Sequence, residues 1–307
     1  MRQRIRTIVG QARRQARRPV ALAATALLVL ALAMPGVAAS PSFLWKVTTP
    51  AGRSLYLAGS LHLLSSQYYP LAPAFEERFA EADLLVEELD MGEMAAPASQ
   101  MLMLQRGMMP AGQTLESVLA PDTFEAVKSK AAELGLPFAP LQLFKPWALA
   151  LTLQGMEWQK AGYDANLGLD KHFYDKAIEK GLQVQGLETL AFQIGQFDSL
   201  SMPLQDRMLA ESLKEMATAS TQVGEMARAW KAGDAVAIEK IVLADLKSEP
   251  QMYDRLLVAR NRTWLPKLDA LLTRPRPTFV VVGAAHLVGP DGLLAAFKAK
   301  GYTVTQM

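Results

Sequence analysis

The sequence predicts an α/β fold of the α+β kind: a central mixed β-sheet built from N- and C-terminal strand–helix–strand units, with a large helical insertion between them. Three observations predict it. Apolar runs broken by turn residues come early, in "FLWKVTTPAGRSLYLAG" and "DLLVEEL". They return at the far end, in "TFVVVG" and "YTVTQ". The stretch between, about 95–274, is rich in Met, Ala, Leu and Gln at helical spacing.

The elements follow in chain order from residue 43, because residues 1–39 read as an export signal. Seven arginines from Arg2 to Arg18 make a basic start, "VALAATALLVLALAM" is the apolar stretch, and Val37-Ala38-Ala39 offers a cleavage site before Ser40. If uncleaved it would be an anchor, although fifteen residues are short for a bilayer span of about twenty. The general secretory route suits it better than a twin-arginine route through Arg17-Arg18, since Pro19 follows at once. Two apolar runs around Pro50 and Gly52 predict a β-hairpin. "APAFEERFAEA" predicts a helix that buries Phe75 and Phe79, and "DLLVEEL" a buried strand. In the insertion, "LQVQGL" at 182–187 is the one expected strand. Met101, Met103, Met108 and Met109 are expected to fill core, with a peptide-binding surface as the alternative. After the strand "TFVVVG", the run "GPDGLLAAFKAKG" predicts a helix with Pro290 near its start and Gly301 past its end. Residues 40–307 are therefore expected to form a single domain.

Composition narrows the function. Removing the seven arginines of the signal from the formal +2 leaves −5 for residues 40–307, so nucleic acid is not an expected partner. The remaining length of roughly 270 residues is enough for a sizeable core. There is no cysteine, which excludes disulfides, thiolate ligands and a cysteine nucleophile. An exported chain without disulfides points to a periplasmic or secreted location. Any metal must take nitrogen and oxygen ligands.

Three histidines are present, and two of them close matching phrases, "LYLAGSLHLL" and "TFVVVGAAHL". Each phrase is an apolar run, then Gly-x-x-His, and each stands between a strand and an expected helix. Ligands of open α/β sheets bind beyond the carboxyl ends of the strands. His62 and His286 would meet there if their strands lie parallel and close. Gly59 and Gly283 let the chain turn off the strand and let a metal, water or substrate approach the backbone. With two imidazoles, a carboxylate is the usual third ligand, and Glu87 or Glu88 at the end of "DLLVEELD" can supply it. His172, on an amphipathic helix among Lys and Asp, is expected at the surface.

The chain resembles the TraB/GumN family, the bacterial relatives of the animal Tiki metalloproteases. The likeness runs over essentially all of residues 40–307. It rests on "LYLAGSLHLL", "EADLLVEELDM", "GLDKHFYDKAIEKGLQVQGLETLAFQIGQFDSLS", "RNRTWLPKL" and "VVVGAAHLVGPDGLLAAFKAKGYTV", in this order. The resemblance implies a divalent-metal-dependent peptidase acting on a peptide or protein, with manganese or cobalt favoured over zinc. It implies His62, His286 and Glu88 as metal ligands, although the adjacent Glu87 leaves the register open by one. Glu188, Gln193, Arg260 and Asn261 also fall on family motif positions. From the residues alone, Glu188 is either a base, an orienter or a helix cap. Arg260 either stabilises an oxyanion, holds a substrate carboxylate, or pairs with a buried acid. Two other functions use the same residues: a metal-free hydrolase with a histidine base, and a non-catalytic periplasmic binding or scaffold protein of the cell envelope or polysaccharide system.

Overall fold

The hairpin is β1 (Leu44–Thr48) and β2 (Ser54–Ser60), antiparallel with Leu44 opposite Ala58. Its turn contains Gly52 at a left-handed φ of 81°. The computed structural model describes residues 41–307, so the expected export signal lies outside the described residues. The other strands are β3 (Leu84–Glu87), β4 (Gln183–Gly186), β5 (Phe279–Gly283) and β6 (Thr303–Gln306). They form one mixed sheet in the order β4-β3-β5-β2-β1-β6. β4, β3, β5 and β2 are parallel neighbours, and β1 runs antiparallel to both β2 and β6.

Helices fill the connections, and proline starts several of them because its fixed φ suits a first helical position that needs no N–H partner. α1 (Pro73–Glu81), α2 (Met91–Ala95) and α3 (Pro97–Gly107) flank β3. α4 (Leu115–Val118), α5 (Pro121–Glu133), α6 (Phe138–Leu141) and α7 (Pro146–Lys160) follow. α8 (Leu169–Glu179) and α9 (Leu190–Asp198) stand on either side of β4. α10 (Met202–Glu215), α11 (Ala219–Lys231), α12 (Ala235–Ser248) and α13 (Pro250–Tyr253) lead to a π-helical turn, Asp254–Val258. That turn runs straight into α14 (Ala259–Leu271). α15 (Ala284–Leu287) and α16 (Leu293–Ala299) close the chain. α16 begins after Gly292, so Pro290 lies in the turn before it, while Gly301 ends it at φ 79°.

The core lies on the sheet. β5 is buried along its whole length, as a parallel strand covered on both faces must be. Phe279 meets Phe79 of α1 at 5.4 Å and Phe173 of α8 at 4.7 Å between ring centres, so both helices cover one face. Each such ring, fully buried, contributes about 1.5–3 kcal/mol. β4 and β6, at the two edges, alternate exposed and half-buried residues. A second cluster joins α4, α5, α7 and α10 through Leu115, Val127, Leu149 and Leu209. The methionine expectation changes here. Met101 and Met103 are 53% and 41% exposed, and Met108 and Met109 half-buried, because α3 lies on the outside with only Gly107 buried.

Candidate functional site

Each of the four parallel strands delivers one functional side chain just past its carboxyl end. Glu188 follows β4, Glu88 follows β3, His286 follows β5 and His62 follows β2. The two histidine phrases lie side by side, since β2 pairs with β5 in parallel with Ser60 opposite Gly283. The register is therefore slipped by one residue relative to the sequence motif. The chain after each strand also differs: β5 enters α15 directly, whereas Leu61 and His62 are irregular.

His286 is 5% exposed and locked from below. Asn261 donates from Nδ2 to the backbone carbonyls of His286 (3.1 Å) and Asp291 (2.9 Å), which fixes its amide so that Oδ1 faces the ring. His286 Nδ1–H donates to that oxygen at 2.7 Å, leaving the Nε2 lone pair for Arg260 Nη1 at 3.1 Å. The Trp264 ring lies 4.3 Å from the imidazole, centre to centre. Burial, with Arg260 and His62 nearby, outweighs Glu88 and pushes the imidazole down to about 3. It is neutral at ordinary pH.

The His62 side chain, by contrast, is 57% exposed. Backbone bonds pin its loop to the start of α8: Leu64 pairs with Asp164 in both directions, and Leu169 N–H donates to the Leu61 carbonyl. Gly168 permits the approach, because a Cβ there would stand 2.2 Å from the His62 carbonyl oxygen. Asp170, in the first turn of α8, then accepts from His62 Nδ1 at 2.9 Å and also from the Ser60 hydroxyl. The Asp170 carboxylate raises the imidazole to about 9 against the opposing effect of desolvation. Its Nε2 faces Glu88 Oε1 at 4.0 Å, and His286 Nε2 faces the same oxygen at 3.8 Å.

Glu88 is held at both oxygens. Oε1 accepts the Gly283 N–H at 2.7 Å, and Oε2 accepts Arg260 Nη2 at 2.5 Å and Gln193 Nε2 at 3.2 Å. Burial opposes its charge, but His286, Arg260, His62 and the Gly283 N–H together bring the carboxyl down to about 2. With His286 neutral, Arg260 and His62 supply the positive charge. Glu188 binds the rest of the guanidinium, Nε at 3.1 Å and Nη2 at 2.9 Å, and accepts Trp264 Nε1 at 2.8 Å. Arg260 Nη1 also donates to the Leu256 carbonyl in the π-helical turn. Of the roles open to Arg260, the geometry therefore displays the buried ion pair, made with two acids at once.

Two expected residues stand apart from this group. Glu87 is buried, its oxygens have no hydrogen-bond partner, and burial, then Asp170 and Asp90, push its carboxyl up to about 9. Gly59 makes room for the core, because a Cβ there would stand 2.4 Å from the Phe43 ring. At Gly283 a Cβ would instead meet Glu88 Oε1 at 3.1 Å and His62 Nε2 at 3.2 Å. Asp170, Ser60 and Trp264 were not singled out by sequence. The Gly-x-Asp at the start of α8 is the signal for Asp170, masked by the charged helix that follows. His172, expected at the surface, is half-buried and bonds Glu76 at 2.8 Å.

Carboxylates outnumber the fixed cations in this group. Glu88, Glu188 and Asp170 bring three carboxylates against one guanidinium, an excess of two negative charges when both imidazoles are neutral. Both rings have Nδ1 anchored and Nε2 directed at Glu88 Oε1, although His286 Nε2 is also taken by Arg260 Nη1. As they stand, no group of three or more His, Asp or Glu side chains among the described residues is placed to hold a metal ion. Ligand bonds of about 2.0–2.2 Å put neighbouring donors roughly 3.0–3.4 Å apart. For an ion to be held, the 3.8 and 4.0 Å separations would have to contract by about 0.4–1.0 Å, and Arg260 Nη1 would have to release His286 Nε2.

A sequence profile of the TraB/PrgY/gumN family matches residues 43–306. The chain belongs to this family. Among curated proteins it is similar to uncharacterized protein YbaP of Escherichia coli (strain K12), 27% identical over 250 residues that cover 80% of this chain and 89% of that protein. YbaP of Shigella flexneri matches with the same identity and coverage. No solved structure matches the chain. The matched segment takes in every residue of the strand-end group.

Proposed function

We propose that this TraB/PrgY/gumN protein is an exported, divalent-metal-dependent hydrolase of peptide bonds, with His62, His286 and Glu88 as ligands. One observation carries the reading: two imidazoles anchored at Nδ1, by Asp170 and Asn261, turn Nε2 toward one oxygen of one carboxylate. The family resemblance supports a peptide substrate and a preference for manganese or cobalt over zinc. A bound ion would polarise the scissile carbonyl and acidify the attacking water. Arg260 and the Gly283 N–H keep Glu88 ionised. Glu188, Gln193 and Arg260, bonded to one another, act as positioning residues behind Glu88. Uptake of the ion would release the His62 proton and give way to acid.

The test is the metal content of residues 40–307 after loading with manganese or cobalt, beside the His62→Ala/His286→Ala double variant, followed by a broad peptide-library assay. Near-stoichiometric metal in the parent, none in the variant, and metal-dependent cleavage are expected. An equal metal content in both chains overturns the ligand assignment.

Two contacts favour a second, metal-free reading: Arg260 already takes the His286 lone pair, and Asp170 with His62 forms an oriented base open to solvent. Because Asp170 holds His62 up to about 9, such a base would gain activity as pH rises through about 9. Treatment with chelator separates the readings. Activity lost and restored by manganese belongs to the first, and activity unchanged to the second. Export rests on residues 1–39, and N-terminal sequencing of periplasmic protein should begin at Ser40.

A further inference from the structure

The two Gly-x-x-His phrases differ in the residue after glycine, Ser60 in one and Ala284 in the other. Ser60 ends β2 and is 2% exposed. Alternation along the strand puts it on the same face as Tyr56, which donates to Glu81 of α1, so its hydroxyl meets the helices that cover that face. There it donates to Oδ2 of Asp170, the oxygen that also accepts His62 Nδ1 at 2.9 Å. Asp170 stands in the first turn of α8, whose N-terminus takes no side-chain cap. Its carboxylate serves the end of β2 instead.

His62 depends on that oxygen. Among the described residues it is the only hydrogen-bond partner of the ring, whose Nε2 lies 4.0 Å from Glu88 Oε1. The χ2 angles of Asp and His are soft, so a carboxylate held by the imidazole alone would let both groups turn together. The matching ring shows what is needed. Asn261, which orients His286, carries its own N–H donors and gives them to the His286 and Asp291 carbonyls. An ionised carboxylate has only acceptors and cannot anchor itself in that way. A donor must be brought to it, and Ser60 brings one from a strand that stays paired with β5 as far as Gly283. Ala284 can stand at the matching place because Asn261 needs no such help.

We propose that Ser60 is a positioning residue of the strand-end centre: its hydroxyl holds the Asp170 carboxylate in the orientation that aims His62 Nε2 at Glu88. The inference rests on the assignment of His62 in the proposed function, and it holds for the metal-free base as well, because both readings need that ring in place. The order of the three groups argues against a nucleophile. In a serine hydrolase the imidazole stands between the hydroxyl and the carboxylate. Here the carboxylate stands between them, and Ser60 gives its proton to Asp170.

Imidazole N–H resonances of residues 40–307, recorded without added metal, read the ring without needing turnover. In the parent, a nuclear Overhauser contact between the Ser60 hydroxyl proton and the His62 Nδ1 proton is expected, since both point at one oxygen. Ser60→Ala should speed exchange of the His62 Nδ1 proton with water at least tenfold and leave the His286 Nδ1 proton unchanged, with the fold checked by circular dichroism. Ser60→Thr, which restores the hydroxyl, should bring that exchange back to within threefold of the parent. Where the parent cleaves peptides, Ser60→Ala should lower kcat at least tenfold and leave KM within threefold. A missing contact in the parent, exchange in Ser60→Ala within twofold of the parent, or His62 and His286 protons loosened together overturns the positioning role. A parent that cleaves no library peptide while the His62 proton responds as expected would sink the hydrolase reading and leave the role standing. Cleavage by Ser60→Ala with kcat within twofold of the parent would do the reverse.

Discussion

Two phrases with the same pattern, Gly59-Ser60-Leu61-His62 and Gly283-Ala284-Ala285-His286, end neighbouring parallel strands and differ in nearly everything else. His286 enters a helical turn, is 5% exposed and stays neutral under burial. His62 sits on an irregular loop, has a side chain 57% exposed, and is held protonated by Asp170. Even the glycines diverge, one clearing space for Phe43 in the core and the other for Glu88 and His62. The element that comes after the motif, and the helix that packs on it, decide what the histidine is. α14 supplies Asn261, Arg260 and Trp264 to one, and α8 supplies Asp170 to the other.

The buried half should be the fragile one, and Arg260 is where to break it. Arg260→Met leaves Glu88 and Glu188 without their counter-ion at positions closed to water. Losing one partner of a buried pair costs about 3–5 kcal/mol. A urea midpoint lowered to match, with unchanged slope, is expected; a loss below about 1 kcal/mol would mean that water reaches the pair.

The histidines themselves come next. His286→Ala strands Asn261 and Arg260 and opens a small void, a loss of about 2–3 kcal/mol. His62→Ala removes an exposed ion pair and should cost less than about 1 kcal/mol. Equal losses would erase the contrast. The glycines sharpen it: Gly59→Ala drives a methyl into Phe43 and should cost about 1–3 kcal/mol. Gly283→Ala, 3.1–3.2 Å from Glu88 Oε1 and His62 Nε2, asks those tips to give by only a few tenths of an ångström, so it should cost less than Gly59→Ala and show itself in the His62 ring resonances.

Periodicity made the sheet legible. Runs with Gly, Pro or Asp at one end or the other marked all six strands, and the hairpin, the buried β5 and the mixed sheet follow from them. Composition could not place α3, because "QMLMLQ" has the apolarity of a core helix, and only the packing around it leaves that face open. At the site, residues at strand ends were readable because the strand positions them. Residues arriving from other elements were not: Asp170 looks like one more charge in "GLDKHFYDK" until Gly168 brings α8 against the His62 loop. Glu87 and Glu88 are the opposite case, alike in sequence and separated by which side of β3 each carboxyl leaves from.

The smallest effect tests the contrast most directly, through pH. A base raised in the folded state stabilises while protonated. The His62 contribution is thus full below its ordinary value of 6.5 and fades as pH climbs through about 9. His286 has the opposite sign: its folded value of about 3 lies below 6.5, so stability tied to the neutral ring is full above 6.5 and fades as pH falls toward 3. Urea midpoints of the parent should therefore sag from pH 6.5 to 9, where His62 and the raised Glu87 carboxyl both lose stability, and His62→Ala should lessen that sag while leaving the Glu87 part and the acid limb. Asp170→Asn should bring the His62 titration, followed by ring-proton resonances, from about 9 back toward 6.5. A His62 that already titrates near 6.5 in the parent would remove Asp170 as the cause and leave the exposed ring an ordinary surface histidine.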